Sequence, residues 1–248
     1  MHGLGTIINC GTILVGSIIG LLIKGGLPKR MEETIFSALG LSTMFIGLGG
    51  ALSGLMSVSA GGVLDTQYTM GLVLSLVLGA ILGEALDIET RLDHLGEWIK
   101  SKMPAKLAGR TFVDGFVTAS MLFCVGAMAV VGSLEDGLNG DYSILLAKSL
   151  LDGISSVLFA ASLGIGVAVS ILPLAIYQGG ITLLAQFVKP YMTDTLIMQM
   201  SCVGSVLIFA IGANMIFGKK VKVGNLLPAI LFPILFTLIK QLWPGFPV

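Results

Sequence analysis

Apolar runs of about twenty residues, separated by short polar connections, recur along the whole 248-residue chain. A helix needs about 20 mostly apolar residues to cross the hydrocarbon core of a bilayer. Windows of that length fall at Leu4–Ile23, Thr34–Leu55, Tyr68–Leu86, Phe112–Val131, Ser143–Leu163, Val167–Val188, Thr195–Phe217 and Gly224–Leu242. Only "GIG" separates the fifth window from the sixth. The pattern predicts an all-α protein, a polytopic transmembrane bundle of about eight spans in one integral membrane domain, 1–248.

One segment breaks the rule. In "DIETRLDHLGEWIKSKM", residues 87–103, Ile88, Leu92, Leu95 and Ile99 recur at helical spacing with charges between them. That pattern predicts an amphipathic helix lying along the membrane interface, with Trp98 at headgroup level.

Composition agrees. The chain is 55% hydrophobic and 11% charged, with mean hydropathy +0.97, whereas a soluble domain is roughly a quarter charged. So few charges cannot cover a surface facing water, so the lipid bilayer is the expected partner. A formal net charge of zero argues against nucleic acid. The lysines and arginines are unevenly placed. Lys24, Lys29 and Arg30 fill the first connection, Arg91, Lys100, Lys102, Lys106 and Arg110 the third, and Lys219, Lys220 and Lys222 the seventh. The alternate connections hold only Lys189, and the tail adds Lys240. The positive-inside rule then puts both termini outside and the basic loops in the cytoplasm of a multi-pass protein. The first span has no basic start and no cleavage site after it, so it reads as a span rather than a signal peptide.

The chain also resembles itself. "GLVLSLVLGAI" from Gly71 aligns with "GVAVSILPLAI" from Gly166, "CVG" at Cys124 recurs at Cys202, and "LLAK" at Leu145 is echoed by "LLPA" at Leu226. The order is kept, so spans three to five (67–165) resemble spans six to eight (166–248). An odd unit of three spans must enter the membrane the second time from the other side, giving an inverted repeat of the kind found in many secondary transporters. The two leading spans (1–66) look related too, since "LVGSIIG" at Leu14 resembles "VLGAILG" at Val77.

Chemistry is sparse. Cys10, Cys124 and Cys202 fall singly in apolar stretches, and His2 and His94 have no acids or cysteines clustered near them. No metal or cofactor is therefore expected, and no nucleophile–base grouping points to an enzyme. What stands out is charge inside a span. Lys148 and Asp152, four apart, share a helix face about 9 and 15 Å into the fifth span. Ionisable groups at that depth are costly and are functional candidates by default. They also make a structural ion pair at the spacing that suits one. In span six, Pro173 followed by Gln178, Gly179 and Gly180 predicts a broken helix at membrane depth, the usual substrate site of inverted-repeat transporters. Asn9, Ser120 and Asn214 are further candidates for a transport path, or for hydrogen bonds between helices. Asp114 and Asn225 read as caps or gate residues, and "EDGLNGD" reads as a loop that caps helices or attracts cations. Glycine pairs such as Gly16/Gly20, Gly50/Gly54 and Gly79/Gly83 let helices approach closely, within the bundle or across a homodimer.

Several motifs together carry a family signature. They are "GTIIN" (Gly5–Asn9), "FCVGAMAVVGS" (Phe123–Ser133), "GLNGD" (Gly137–Asp141), "KSLLDG" (Lys148–Gly153), "YQGGITLLA" (Tyr177–Ala185) and "NLLPA" (Asn225–Ala229). On these the chain resembles the bacterial YqgA/YdfK-like membrane proteins, the family labelled domain of unknown function 554. The resemblance implies a multi-span bacterial inner-membrane protein and brings no activity with it. From the residues, the expectation is transport of a small solute or ion at mid-membrane, driven by a gradient or passive, as a carrier or a channel. A membrane scaffold, whose polar residues only specify packing, is the alternative.

Overall fold

The computed structural model describes residues 2–24, 28–58, 62–104, 109–124, 127–188 and 192–242. Lys106, Lys189 and two residues of the first "CVG", 125 and 126, lie outside them. The helices are α1 (Leu4–Lys24), α2 (Lys29–Leu55), α3 (Thr69–Leu86), α4 (Ile88–Lys102), α5 (Phe112–Cys124), α6 (Ala127–Asn139), α7 (Ser143–Leu163), α8 (Gly166–Val169), α9 (Ile171–Val188), α10 (Asp194–Phe217), α11 (Val223–Leu226) and α12 (Phe232–Leu242). A 3₁₀ turn, Leu227–Leu231, joins the last two. Between α2 and α3, β1 (Met56–Val58) and β2 (Leu64–Thr66) form an antiparallel hairpin. The chain is an all-α polytopic bundle.

Two compact units share the chain. One holds Met1–Gly40 and Arg91–Tyr191, the other Leu41–Thr90 and Met192–Val248. In the first, α1 packs along α7, α6 along α9, and α5 against α8. In the second, α3 packs on the 3₁₀ turn and α11, with α10 and α12 around them.

Burial runs opposite to that of a soluble protein. On α7 the interior face carries Lys148, Ser149, Asp152 and Ser156, while Leu150, Leu151, Ile154 and Leu158 face outward. On α1, Thr6, Asn9, Gly16 and Ser17 are buried and Ile7, Leu14, Val15 and Ile18 are exposed. In water this would waste the hydrophobic effect. In lipid the outward leucines meet a solvent as apolar as themselves, and association rests on close packing and interior hydrogen bonds.

Among the described residues seven helices are long and apolar enough to cross a membrane. The predicted fourth span, Phe112–Val131, is instead two helices, α5 and α6, whose axes diverge by 61°. The direction of packing accords with a single crossing by the two together. Gly5, Gly16 and Gly20 of α1 lie against Leu145, Gly153 and Val157 of α7 in that order, so α1 and α7 run parallel. With α2 and α3 as full spans between them, α5 and α6 must supply one more crossing. Other pairs obey the same alternation. Gly47, Gly50 and Gly54 of α2 meet Phe209, Ser205 and Cys202 of α10 in reverse order, and Gly79 and Gly83 of α3 meet Ala229 and Asn225 in reverse order.

The break expected in span six lies elsewhere. Gln178, Gly179 and Gly180 sit within the continuous helix α9, and the interruption comes earlier, at Ser170 between α8 and α9. Pro173 is the third residue of α9. There its missing N–H has no intrahelical partner to lose, so the proline starts the helix rather than breaking it. Pro173→Ala should therefore shift the unfolding midpoint in detergent little, within about 0.5 kcal/mol. Gly179→Ala, with nothing within 4 Å of the added Cβ, should be neutral or stabilising by up to about 1 kcal/mol. Loss of the fold in either variant would restore the reading of a strained break. The fifth and sixth spans part at Gly164, whose φ of +85° suits glycine. "EDGLNGD" is also not all loop, because Glu135 and Asp136 lie inside α6.

Candidate functional site

The polar residues of the first unit converge. Asn9 on α1 donates through Nδ2 to Asp152 Oδ2 at 3.0 Å, and the same nitrogen reaches Gln178 Oε1 at 3.3 Å. Lys148 Nζ closes an ion pair with Asp152 Oδ2 one turn away on α7. Asn9 and Gln178 are fully buried, Lys148 and Asp152 nearly so. Four sequence candidates from α1, α7 and α9 thus form one cluster. Cys124, where α5 ends, lies close enough to feel the charges of Lys148 and Asp152. The first helix of the bent fourth span therefore ends near the cluster.

The cluster is incompletely paired. Asn9 Oδ1 and Gln178 Nε2 have no hydrogen-bond partner among the described residues, and neither do the buried hydroxyls of Thr6, Ser133 and Thr182. A buried polar atom without a partner costs about 1–3 kcal/mol. Several of them in the same unit as a buried charged pair mean that this interior is built for polar company.

Asp136 is the acid that sequence reasoning placed in a loop. It is fully buried, and its carboxylate accepts from Gly3 N–H at 3.1 Å and Gly5 N–H at 3.0 Å. These are amides at the start of α1 that have no partner within the helix, and a negative charge suits that end of the helix dipole. His2 Nδ1 lies 3.1 Å from the Asp136 carbonyl oxygen. At the start of α7, hydrogen bonds from Ser143 hold the exposed Asp141 carboxyl below the usual carboxylate range.

The other candidates go elsewhere. Ser120 donates to the Phe116 carbonyl of its own helix, and Asp114 is exposed in the first turn of α5. Gly179 lies on α9 next to Gln178, with open space beyond it. In the second unit, Asn214 folds onto the loop after α10, accepting from Lys220 and Val221 N–H at 3.0 Å each and donating to the Val221 carbonyl at 2.7 Å. Asn225 ties three elements together, accepting from Glu89 N–H at 2.7 Å and donating to Glu84 at 2.6 Å. Lys222 pairs with Glu84 at 2.6 Å and Lys219 with Glu89 at 2.9 Å. The Glu84 bond pushes the Lys222 pKa up from its ordinary value. These contacts latch helix ends together and lie apart from the charged pair in sequence and unit.

Lipid-facing leucines around a buried charged cluster define a multi-span helical membrane protein with a polar interior. The chain belongs to the family described as a protein of unknown function, DUF554, whose model matches residues 4–238. It is 33% identical over 229 residues to YdfK, an uncharacterised membrane protein of Bacillus subtilis (strain 168), covering 92% of this chain and 93% of that one. It is 31% identical over 231 residues to the uncharacterised protein YqgA of Escherichia coli (strain K12), again covering 92% and 93%. No solved structure matches.

Proposed function

We propose that the protein moves a small solute or ion across the membrane through the Asn9–Lys148–Asp152–Gln178 cluster. The observation that carries this reading is the pair of unpartnered amide atoms, Asn9 Oδ1 and Gln178 Nε2, beside a buried ion pair. A cluster serving packing alone gains by satisfying every atom, because each orphan weakens it. A transport site keeps free groups for its cargo. The sequence holds no nucleotide-binding motif, so a gradient drives the movement, or it is passive. The protein acts by binding and release, not by catalysis.

The scaffold reading has one observation on its side. Lys148 and Asp152 are already closed on each other, with Asn9 strapped across them. Purified protein heated with sodium, potassium and ammonium salts, amino acids and organic acids separates the two. Transport predicts that at least one of these raises the unfolding midpoint of the wild type and not of Asp152→Asn, since a ligand stabilises only the state it binds. A midpoint that no member of the panel moves, or that moves equally in Asp152→Asn, leaves the cluster a packing device.

A further inference from the structure

Five of the unpartnered buried atoms fall together, while the Ser17 hydroxyl, two turns beyond Asn9 on α1, stands apart. With α5 and α6 together making one crossing, alternation of the spans gives α6 and α9 the same direction, and Gly137 lies against the Thr182 carbonyl and the Ala185 methyl. Stepping back four residues on each helix brings Ser133 level with Gln178, and Gln178 is bonded to Asn9. Ser133, Asn9 and Gln178 therefore form one layer, contributed by three mutually packed helices. Thr182 is one turn further along α9. Thr6 is one turn from Asn9 on α1, toward the end clasped by Asp136. Both lie one turn from the first layer, on the side of the Asp136 carboxylate. Each of the five residues is at least nine-tenths buried, and each keeps an orphan polar atom.

We infer that these five residues line the route by which a small monovalent cation reaches the ion pair, entering at the Asp136 end. The inference rests on the transport reading and adds the side of access and the sign of the cargo's charge. Four of the five orphan atoms are oxygens, Asn9 Oδ1 and the hydroxyls of Thr6, Ser133 and Thr182. Neutral oxygens with carboxylates at both ends are hard ligands that replace a cation's hydration shell. Among the described residues, the charges along the route are Asp136, Lys148 and Asp152, with Lys148 already spent on Asp152. The surplus is one negative charge, and it sits at the mouth. His2 faces the carbonyl oxygen of Asp136, not its carboxylate.

Access of thiol reagents tests this. Thr6→Cys, Ser133→Cys and Thr182→Cys are made singly in a background with Cys10→Ala, Cys124→Ser and Cys202→Ala. Each is made also in the wild-type background, where mass spectrometry of the labelled peptide identifies the site if the cysteine-free protein folds poorly. Asp141→Cys, exposed next to the same end, identifies the vesicle orientation that presents this end to the reagent. In that orientation the cationic trimethylammonium-ethyl methanethiosulfonate is expected to label all three positions, about ten-fold faster than its anionic sulfonato-ethyl counterpart. Asp136→Asn should remove the preference. Leu174→Cys, fully buried one turn beyond Gln178 on the other side, should stay unlabelled. Failure of all three positions to react while Asp141→Cys reacts, equal rates for both reagents, or labelling of Leu174→Cys as fast as Thr182→Cys would each overturn the route. The two readings fail separately. A silent route with ligand stabilisation that Asp152→Asn still abolishes discards the route and keeps the site. A labelled, cation-selective route in a protein that no member of the panel stabilises keeps the route without the transport reading.

Discussion

Lys148→Met is expected to destabilise the protein by about 3–5 kcal/mol, the usual result of stripping one partner from a buried ion pair. Asp152 would keep the Asn9 bond at 3.0 Å and lose the ammonium paired with it, in an interior where water cannot replace it. Asp152→Leu alone should cost a similar amount by stranding the ammonium. The double variant Lys148→Met/Asp152→Leu should recover most of the loss, because matched apolar side chains often replace a buried pair at little or no cost. Chemical unfolding in detergent micelles measures all three. Single variants as stable as the wild type would mean that the charges are solvated and not paired. A double variant as unstable as either single one would mean that the pair is indispensable for packing. The double variant also isolates function, since a folded protein without the pair can be assayed for ligand stabilisation.

Gly83→Ala carries the second large effect, and its sign is the test. Within a helix, glycine to alanine ordinarily gains up to about 1 kcal/mol. At Gly83 the new methyl would run into the Asn225 carbonyl oxygen, which is backbone and cannot swing aside. The same holds at Gly16 and Gly20 of α1, against the carbonyls of Gly153 and Val157. Overpacking of this kind costs about 1–3 kcal/mol, so all three variants should unfold earlier than the wild type. Gly11→Ala is the control. Its Cβ meets nothing within 4 Å and it borders an open apolar groove of about 410 Å³ between α1 and α7. It should match the wild type or exceed it. If Gly83→Ala and Gly11→Ala shift stability alike, close approach is not what these glycines are for.

Much of this was legible in the chain. Asn9, Lys148, Asp152 and Gln178 are conspicuous because each interrupts an apolar window, and polar groups at such depth must find one another or a ligand. Thr6, Ser133 and Thr182 were not, because hydroxyl residues are common in membrane helices and usually bond their own backbone, as Ser149 and Ser156 do here. Only the structure shows which hydroxyls lack that bond. Asp136 hid for another reason: two glycines and an asparagine follow it within four residues, and turn chemistry masks a helix that continues to Asn139. The misplaced break has the same root. Proline's effect depends on its distance from the helix start, which composition does not reveal, while α5 and α6 part with no proline between them to announce it.

The placement of the charged pair on a single helix bears on how the protein is made. Asn9 and Asp152 are 143 residues apart, so at about 5–20 residues per second roughly 7–30 s of synthesis separate them. Throughout that interval α1 lies in the bilayer with only neutral polar groups to shelter. Had the lysine been on α1 and the aspartate on α7, each helix would have had to enter the lipid with a naked charge. Instead α7 emerges with both signs one turn apart, self-neutralised before it docks on α1, and Asn9 has only to recognise a dipole already assembled.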